Sequence, residues 1–280
     1  AVNTPPATSI PGTPGAPFTV ATYNANSIRV RLEQVLAWLV RVQPDVLCVQ
    51  ETRCADADLP VAPIRELGYE IAFRGRGGRA GVAIITREPP EAVSHGFDDT
   101  EDDPDDHRLI CARVRGIPIL NAYAPQGRTV DDPEFRYKLR WFARMRRYLA
   151  SHFSPSEPLI WAGDLNVAPD EIDVYAPKQL AKFTDFHPEA RQALADVMAW
   201  GLVDVFRRLH PDEPGHYTFW DYRIPKAVER NLGWRIDHIA ATPPLAACAV
   251  ESWIDVDARR VTRPSDHTFL VARFDLSRLP

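Results

Sequence analysis

Pro158–Leu159–Ile160–Trp161–Ala162–Gly163–Asp164–Leu165–Asn166 joins a short apolar run to a carboxylate and an amide. The run Leu159 to Ala162 predicts a buried strand. Gly163 then lets the backbone turn or approach a ligand closely. If strand geometry persists, Asp164 and Asn166 leave on one face. A carboxylate and an amide aimed together from a strand end suit an oxyanion or a metal-bound water. The same residues also fit an Asx turn, because Asp and Asn favour turns. The rest of the chain must decide.

Other polar groups gather at predicted strand ends. Asn24, Glu51 and Tyr123 close strands, Asp237 lies within one, and Asp266 and His267 precede the last. No Ser or Cys has a base beside it as a nucleophile would. Carboxylates without thiolates select hard cations, so Mg²⁺ is expected, with Mn²⁺ as its substitute. Glu51 stands alone after an apolar strand, where a carboxylate is buried only if paired or metal-bound. It is the best ligand. The reaction suited to this set is hydrolysis of a phosphate ester. The cation would neutralise the phosphate oxygens and the leaving oxyanion. Asp164 would orient or deprotonate the attacking water, and Asn24 and Asn166 would position the phosphate or hold ligands. An Asp237–His267 pair would fix the imidazole tautomer and raise its basicity.

The elements that must hold these groups read as α/β. Phe18 to Tyr23 is a strand, and Leu32, Val35, Leu36, Leu39 and Val40 repeat as one face of an amphipathic helix. Val46 to Val49 is a second buried strand, so the chain opens strand–helix–strand. Tyr69 to Phe73 and Val82 to Thr86 predict a hairpin whose tip, Arg74 to Gly81, is basic and glycine-rich. Asp98 to Asp106 holds seven acidic residues and predicts a solvated loop. Leu109 to Val114 and Ile117 to Ala122 are strands. Pro133 to His152 and Glu189 to Trp200 are helices. Trp234 to Ala240 and Thr268 to Phe274 are strands. Many strands with few helices imply packed sheets with helices outside, in one domain over residues 18–280. Residues 1–17 hold five prolines and predict a disordered tail without chemistry.

Bulk properties exclude several classes. The 280 residues are 45% hydrophobic and 25% charged, an ordinary globular balance with room for a sizeable core. The net charge of −5 does not advertise nucleic-acid binding, so basic groups for a polyanion must gather on one face. The four cysteines form no CxxC pair, which argues against zinc and against a disulfide scaffold. Reduced thiols, no apolar run of membrane-span length and no secretory pattern lead us to expect a soluble cytoplasmic protein, acting as a monomer without a membrane partner.

Six motifs occur in order: Thr22–Tyr23–Asn24–Ala25–Asn26–Ser27–Ile28–Arg29, Leu47–Cys48–Val49–Gln50–Glu51–Thr52–Arg53, Gly163–Asp164–Leu165–Asn166, Trp200–Gly201–Leu202–Val203–Asp204, Phe219–Trp220–Asp221–Tyr222–Arg223 and Pro264–Ser265–Asp266–His267. Together they resemble the exodeoxyribonuclease III family of abasic-site endonucleases, from about Phe18 to Phe274. The resemblance implies a four-layer α/β sandwich with two packed sheets flanked by helices. It implies Mg²⁺-dependent cleavage of double-stranded DNA 5′ to abasic sites, with 3′–5′ exonuclease and 3′-phosphatase or phosphodiesterase work on blocked 3′ ends. By motif position, Glu51 resembles the metal ligand, Asp266 lies near a second metal position, and Asn24 is a ligand positioner. Asp164 resembles the water-activating acid, with Asn166 beside it. Tyr123 resembles the tyrosine that contacts the scissile phosphate, Asp237 and His267 the paired Asp–His, and Gln126 a DNA-contacting amide.

Phe219, Trp220 and Trp234 would line a pocket for an extruded, base-less sugar or wedge the duplex, unless they are core. Arg29, Arg53, Arg76, Arg79, Arg128 and Arg223 lie in or beside the motif loops and would form a basic rim. The alternative is a superfamily phosphatase acting on a lipid or small-molecule phosphoester. The Trp–Asp–Tyr–Arg block favours DNA over it. A DNA-binding module without catalysis is disfavoured by the retained Glu51, Asp164, Asn166, Asp237 and His267.

Overall fold

The computed structural model describes residues 15–280; residues 1–14 of the proline-rich segment lie outside the described residues. The strands in chain order are β1 (Phe18–Asn24), β2 (Val46–Gln50), β3 (Glu70–Arg74), β4 (Val82–Thr86), β5 (Ala92–His95), β6 (Leu109–Val114), β7 (Ile117–Tyr123), β8 (Ile160–Asp164), β9 (Val203–Asp204), β10 (Asp237–Ala241), β11 (Ala249–Asp255) and β12 (Phe269–Phe274). The helices are α1 (Ile28–Val42), α2 (Val61–Glu66), α3 (Pro133–His152), α4 (Pro177–Leu180), α5 (Pro188–Met198), α6 (Val205–Leu209) and α7 (Pro243–Ala246).

Among the described residues the strands form two six-stranded sheets, ordered β11-β12-β1-β2-β4-β3 and β5-β6-β7-β8-β10-β9. Each sheet holds one parallel pair, β1 with β2 and β7 with β8. Parallel neighbours need a crossover, and α1 and α3 supply it. The sheets stack through Val20, Cys48, Ile84, Ile119, Ile160 and Ile239. The opposite face of the first sheet packs Leu47 and Val49 on Val35, Trp38 and Leu39 of α1. The opposite face of the second packs Leu120 and Trp161 on Trp141, Phe142 and Met145 of α3. The result is helix, sheet, sheet, helix. Central strands covered on both faces read as continuous apolar runs, which is why β1, β2, β7 and β8 are fully buried. Each such Val, Leu or Ile contributes roughly 1.5–3 kcal/mol by leaving water.

Three expectations change. Strand geometry ends at Asp164: Asn166 has φ 49°, so it does not share a pleat with Asp164. β10 begins at Asp237, while Trp234 makes isolated bridges to Val174 and Phe219. The acidic segment 98–106 is not simply solvated. Buried Arg144 of α3 binds Asp99 at 2.7 Å and Asp105 at 2.7 Å, and Asp105 is only 1% exposed. Arg76 of the β3–β4 tip binds Asp103 at 2.9 Å and Asp106 at 2.6 Å. Burial without these guanidinium partners would be too costly for carboxylates.

Candidate active site

The carboxyl ends of the two parallel pairs meet at one edge of the stacked sheets. Asn24 ends β1, Glu51 follows β2, Tyr123 ends β7 and Asp164 ends β8. Gly163 makes the last turn possible. Its φ is 142°, and a Cβ there would lie 1.9 Å from the Ala122 carbonyl oxygen. Only glycine lets Asp164 arrive beside Tyr123, its register partner on β7.

Asn24 is the bridge. Its amide donates to Glu51 Oε1 at 3.0 Å and to Asp164 Oδ2 at 2.8 Å. Its own oxygen accepts the Asn26 amide N–H at 2.9 Å, which fixes the orientation. Glu51 Oε1 also accepts the Tyr123 hydroxyl at 2.8 Å, and Glu51 Oε2 accepts Arg53 Nε at 2.9 Å. Burial, reinforced by the Glu51 and Asp164 carboxylates, holds the Tyr123 phenol far above its ordinary range, so it stays a donor.

Asp164 Oδ1 accepts the Asn166 backbone N–H at 2.9 Å, and the Asn166 side chain donates to the Ala124 carbonyl at 2.9 Å. The Asx turn and the ties of Asp164 to Asn24 and of the Asn166 side chain to Ala124 are therefore one structure. Opposite lies His267, whose Nδ1 is 2.8 Å from Asp237 Oδ2 and whose Nε2 is 3.6 Å from Asp164 Oδ2. Thr218 Oγ1 accepts the backbone N–H of Asp237 at 3.1 Å and so anchors the start of β10. Burial alone would lower the His267 pKa. The Asp237 and Asp164 carboxylates outweigh it and push the value up to about 10, leaving an imidazolium at neutral pH. Burial raises the Asp164 pKa well above its ordinary range; Asp237 and Glu51 add to this, and His267 and Asn24 oppose it. Asp164 and His267 titrate as a pair, and the proton they share lies on the imidazole at neutral pH, which leaves Asp164 free to accept another.

The residues suit a divalent cation. Asp164 and Asp237 bring two carboxylates together beside His267, Asn24 ties Glu51 to Asp164, and Asp237 Oδ1 is buried with no hydrogen-bond partner in the described protein. The Asp164, Asp237 and His267 group could itself hold a metal ion, as could Asp103, Asp105 and His107. The second group already carries Arg76 and Arg144 as its cations. Asp266, partly exposed, accepts Asn26 Nδ2 at 3.2 Å and so joins the Asn24 side of the site.

The expected substrate groups divide. The Phe219 ring lies 4.9 Å from the His267 ring and remains partly open. Trp234 is 7% exposed and packs edge-on against Phe183, which is 49% exposed. Trp220 is 1% exposed and packs with Tyr217 and Ala227, so it is core and lines no surface pocket. Gln126 is exposed and donates to Thr184 Oγ1 at 2.9 Å. Arg29, Arg79 and Arg128 are exposed. Arg76 is held by Asp103 and Asp106, and Arg223 folds onto Asp221 at 2.6 Å, so neither is a free rim cation.

Residues 21–267 match the model of the endonuclease/exonuclease/phosphatase family. The chain belongs to this family. Within it, the chain is 32% identical to exodeoxyribonuclease III of Haemophilus influenzae, over 90% of this chain and 98% of that one. A solved AP endonuclease from Archaeoglobus fulgidus superposes with TM-score 0.89 at 45% identity, covering 92% of this chain and 99% of that one. The 3′ phosphatase NExo from Neisseria, solved with a product DNA hairpin, superposes with TM-score 0.86 at 34% identity, covering 92% and 99%.

Sequence reasoning passed over several contributors. Asn26, Thr218 and Ser265 act through turn and backbone hydrogen bonds; Ser265 Oγ, for example, donates to the Asn24 carbonyl at 2.7 Å. Lys138 had a signal. It occupies the helix face of Phe135, Phe142, Met145 and Leu149, where a charged residue breaks an apolar stripe.

Proposed function

We propose that this protein is a Mg²⁺-dependent DNA repair nuclease that hydrolyses the phosphodiester 5′ to abasic sites in duplex DNA and processes blocked 3′ ends. One observation carries the reading. Asn24 ties Asp164 to Glu51, while His267, fixed by Asp237, faces Asp164 at 3.6 Å. The similarity to exodeoxyribonuclease III and to solved AP endonucleases supports DNA as the substrate.

Glu51, with Asp266 and Asn24 nearby, would hold the cation. An imidazolium offers no lone pair, so His267 is a weaker ligand at neutral pH. When bound, the cation neutralises charge on the phosphate oxygens and on the leaving oxygen. Asp237 holds the His267 Nδ1–H and so directs Nε2–H into the site. The imidazolium then binds a phosphate oxygen. Asp164 receives the proton of the attacking water, and its Oδ1 is kept in place by the Asn166 N–H. The Tyr123 hydroxyl keeps its one proton on Glu51 Oε1 and so orients that carboxylate; once Glu51 holds a cation, the same proton would turn to the phosphate. Phe219 and Trp234 offer apolar walls to a sugar without a base, and Arg29 and Arg128 offer charge to the backbone.

The test is incubation of a duplex carrying one tetrahydrofuran abasic analogue with the protein, in Mg²⁺ and in EDTA. Incision at the 5′ side in Mg²⁺ alone is expected. An intact strand in Mg²⁺ overturns the endonuclease reading. Release of phosphate from a 3′-phosphorylated primer tests the end-processing activity separately.

A further inference from the structure

Among the described residues, Lys138 is the most buried charge that the proposed chemistry does not use. Its side chain is 0% exposed. Its ammonium donates to the main-chain carbonyls of Asn166 at 2.6 Å, Gln126 at 3.2 Å and Thr184 at 3.2 Å, and to Asp185 Oδ1 at 3.3 Å. These acceptors belong to three separate loops: the one after β7, the one after β8, and the one between α4 and α5. Gln126 adds a second tie by donating to Thr184 and Asp185.

Stability alone does not explain such an arrangement. Replacing a buried ion pair with well-packed apolar groups is often neutral or stabilising. A methionine would suit the apolar stripe of α3, but it would leave three carbonyls without a common donor. What only an ammonium supplies is one tetrahedral donor that reaches three backbones at once.

We propose that Lys138 is a positioning residue that locks these three loops into one rigid wall and so keeps Asn166, and through its N–H the Asp164 carboxylate, in register with His267. The inference rests on the role given to Asp164 above. A displacement of about 1 Å at such a group can cost about 100-fold in rate.

Lys138→Met alone strands the Asp185 carboxylate, so the decisive protein is the double variant Lys138→Met with Asp185→Asn, which keeps charge balance. It is compared with wild type by urea unfolding, by steady-state incision of the tetrahydrofuran duplex, and by amide hydrogen exchange. The expected result is a lower unfolding midpoint, because three buried carbonyls lose their donor, in a protein still fully folded under assay conditions, with a KM near wild type. The kcat falls ~10–100-fold, and exchange is faster in residues 124–128, 164–168 and 182–187 together but not in the central strands. Unchanged kcat, with or without faster exchange, overturns the positioning role. A lower kcat with unchanged exchange in the three segments also overturns it. If wild type itself fails to incise, the functional reading falls. The exchange comparison then still decides the claim: protection that persists in the double variant overturns the lock.

Discussion

At Asp164, burial and neighbouring carboxylates oppose ionisation, while His267 and the Asn24 amide favour it. This balance is what a proton acceptor beside a reacting water needs. Asp164→Asn keeps the shape and removes the acceptor. We expect turnover at least ~100-fold lower with DNA affinity nearly unchanged, since a general acid or base contributes 10²–10⁴. Single-turnover incision with a parallel binding titration checks it, and a near-normal rate would remove Asp164 from this role. Glu51 differs because it lies at the opening of the site, with 14% of its side chain exposed and Arg53 on Oε2. Glu51→Gln should therefore raise the Mg²⁺ concentration required for half-maximal incision while leaving the fold intact. A Mg²⁺ titration of the variant that overlays wild type would place the cation elsewhere.

Elements explain which parts of the site could be read from the chain. Strands covered on both faces declare themselves as apolar runs, and a polar residue at the end of such a run stands out. Asn24, Glu51, Tyr123 and Asp164 were legible for that reason, and the turn after β8 was legible in outline. Edge strand β3 was legible too, but β5 and β11 were not. β5 and β11 carry exposed Val93 and Val250 and lack a clean alternation, so nothing marks them locally. Lys138 left a trace by breaking an apolar stripe, but Arg144 and Asp105 were illegible because burial of a charge depends on a partner far along the chain; these two are 39 residues apart. Trp220 failed for a similar reason: an aromatic beside a site motif looks the same whether it faces ligand or core. The turn itself yields a sharp prediction. In Gly163→Ala the new methyl would overlap the Ala122 carbonyl at a φ that side chains rarely adopt. We expect a loss of about 2–3 kcal/mol, seen as a lower urea midpoint with an unchanged m-value. A midpoint equal to wild type would show that β7 and β8 can move apart without cost.

The described molecule is two sheet-and-crossover halves whose parallel strand ends meet, and Asp164, Asp237 and His267 are buried where they do. Two buried histidines, His238 on β10 and His267 bonded to Asp237 of the same strand, make stability depend on pH in opposite senses. His238, buried on β10 beside the Arg235 guanidinium, has a lowered pKa, with burial the larger cause. Below the ordinary value near 6.5, the unfolded chain takes up a proton that the folded chain refuses, so stability declines as the solution becomes more acid. His267 behaves inversely. Its value of about 10 means that the folded chain holds a proton that the unfolded chain releases near 6.5. Its contribution is complete below 6.5 and is lost as pH rises toward 10. Asp164, also raised, acts in the same direction at lower pH. Urea midpoints in EDTA should thus fall on both sides of neutrality. His267→Gln removes the titrating ring while keeping an amide donor toward Asp237, so it should flatten the alkaline decline and leave the acid one. An alkaline decline of equal depth in that variant would mean that His267 does not hold the proton, and the imidazolium assigned to the phosphate would lose its basis.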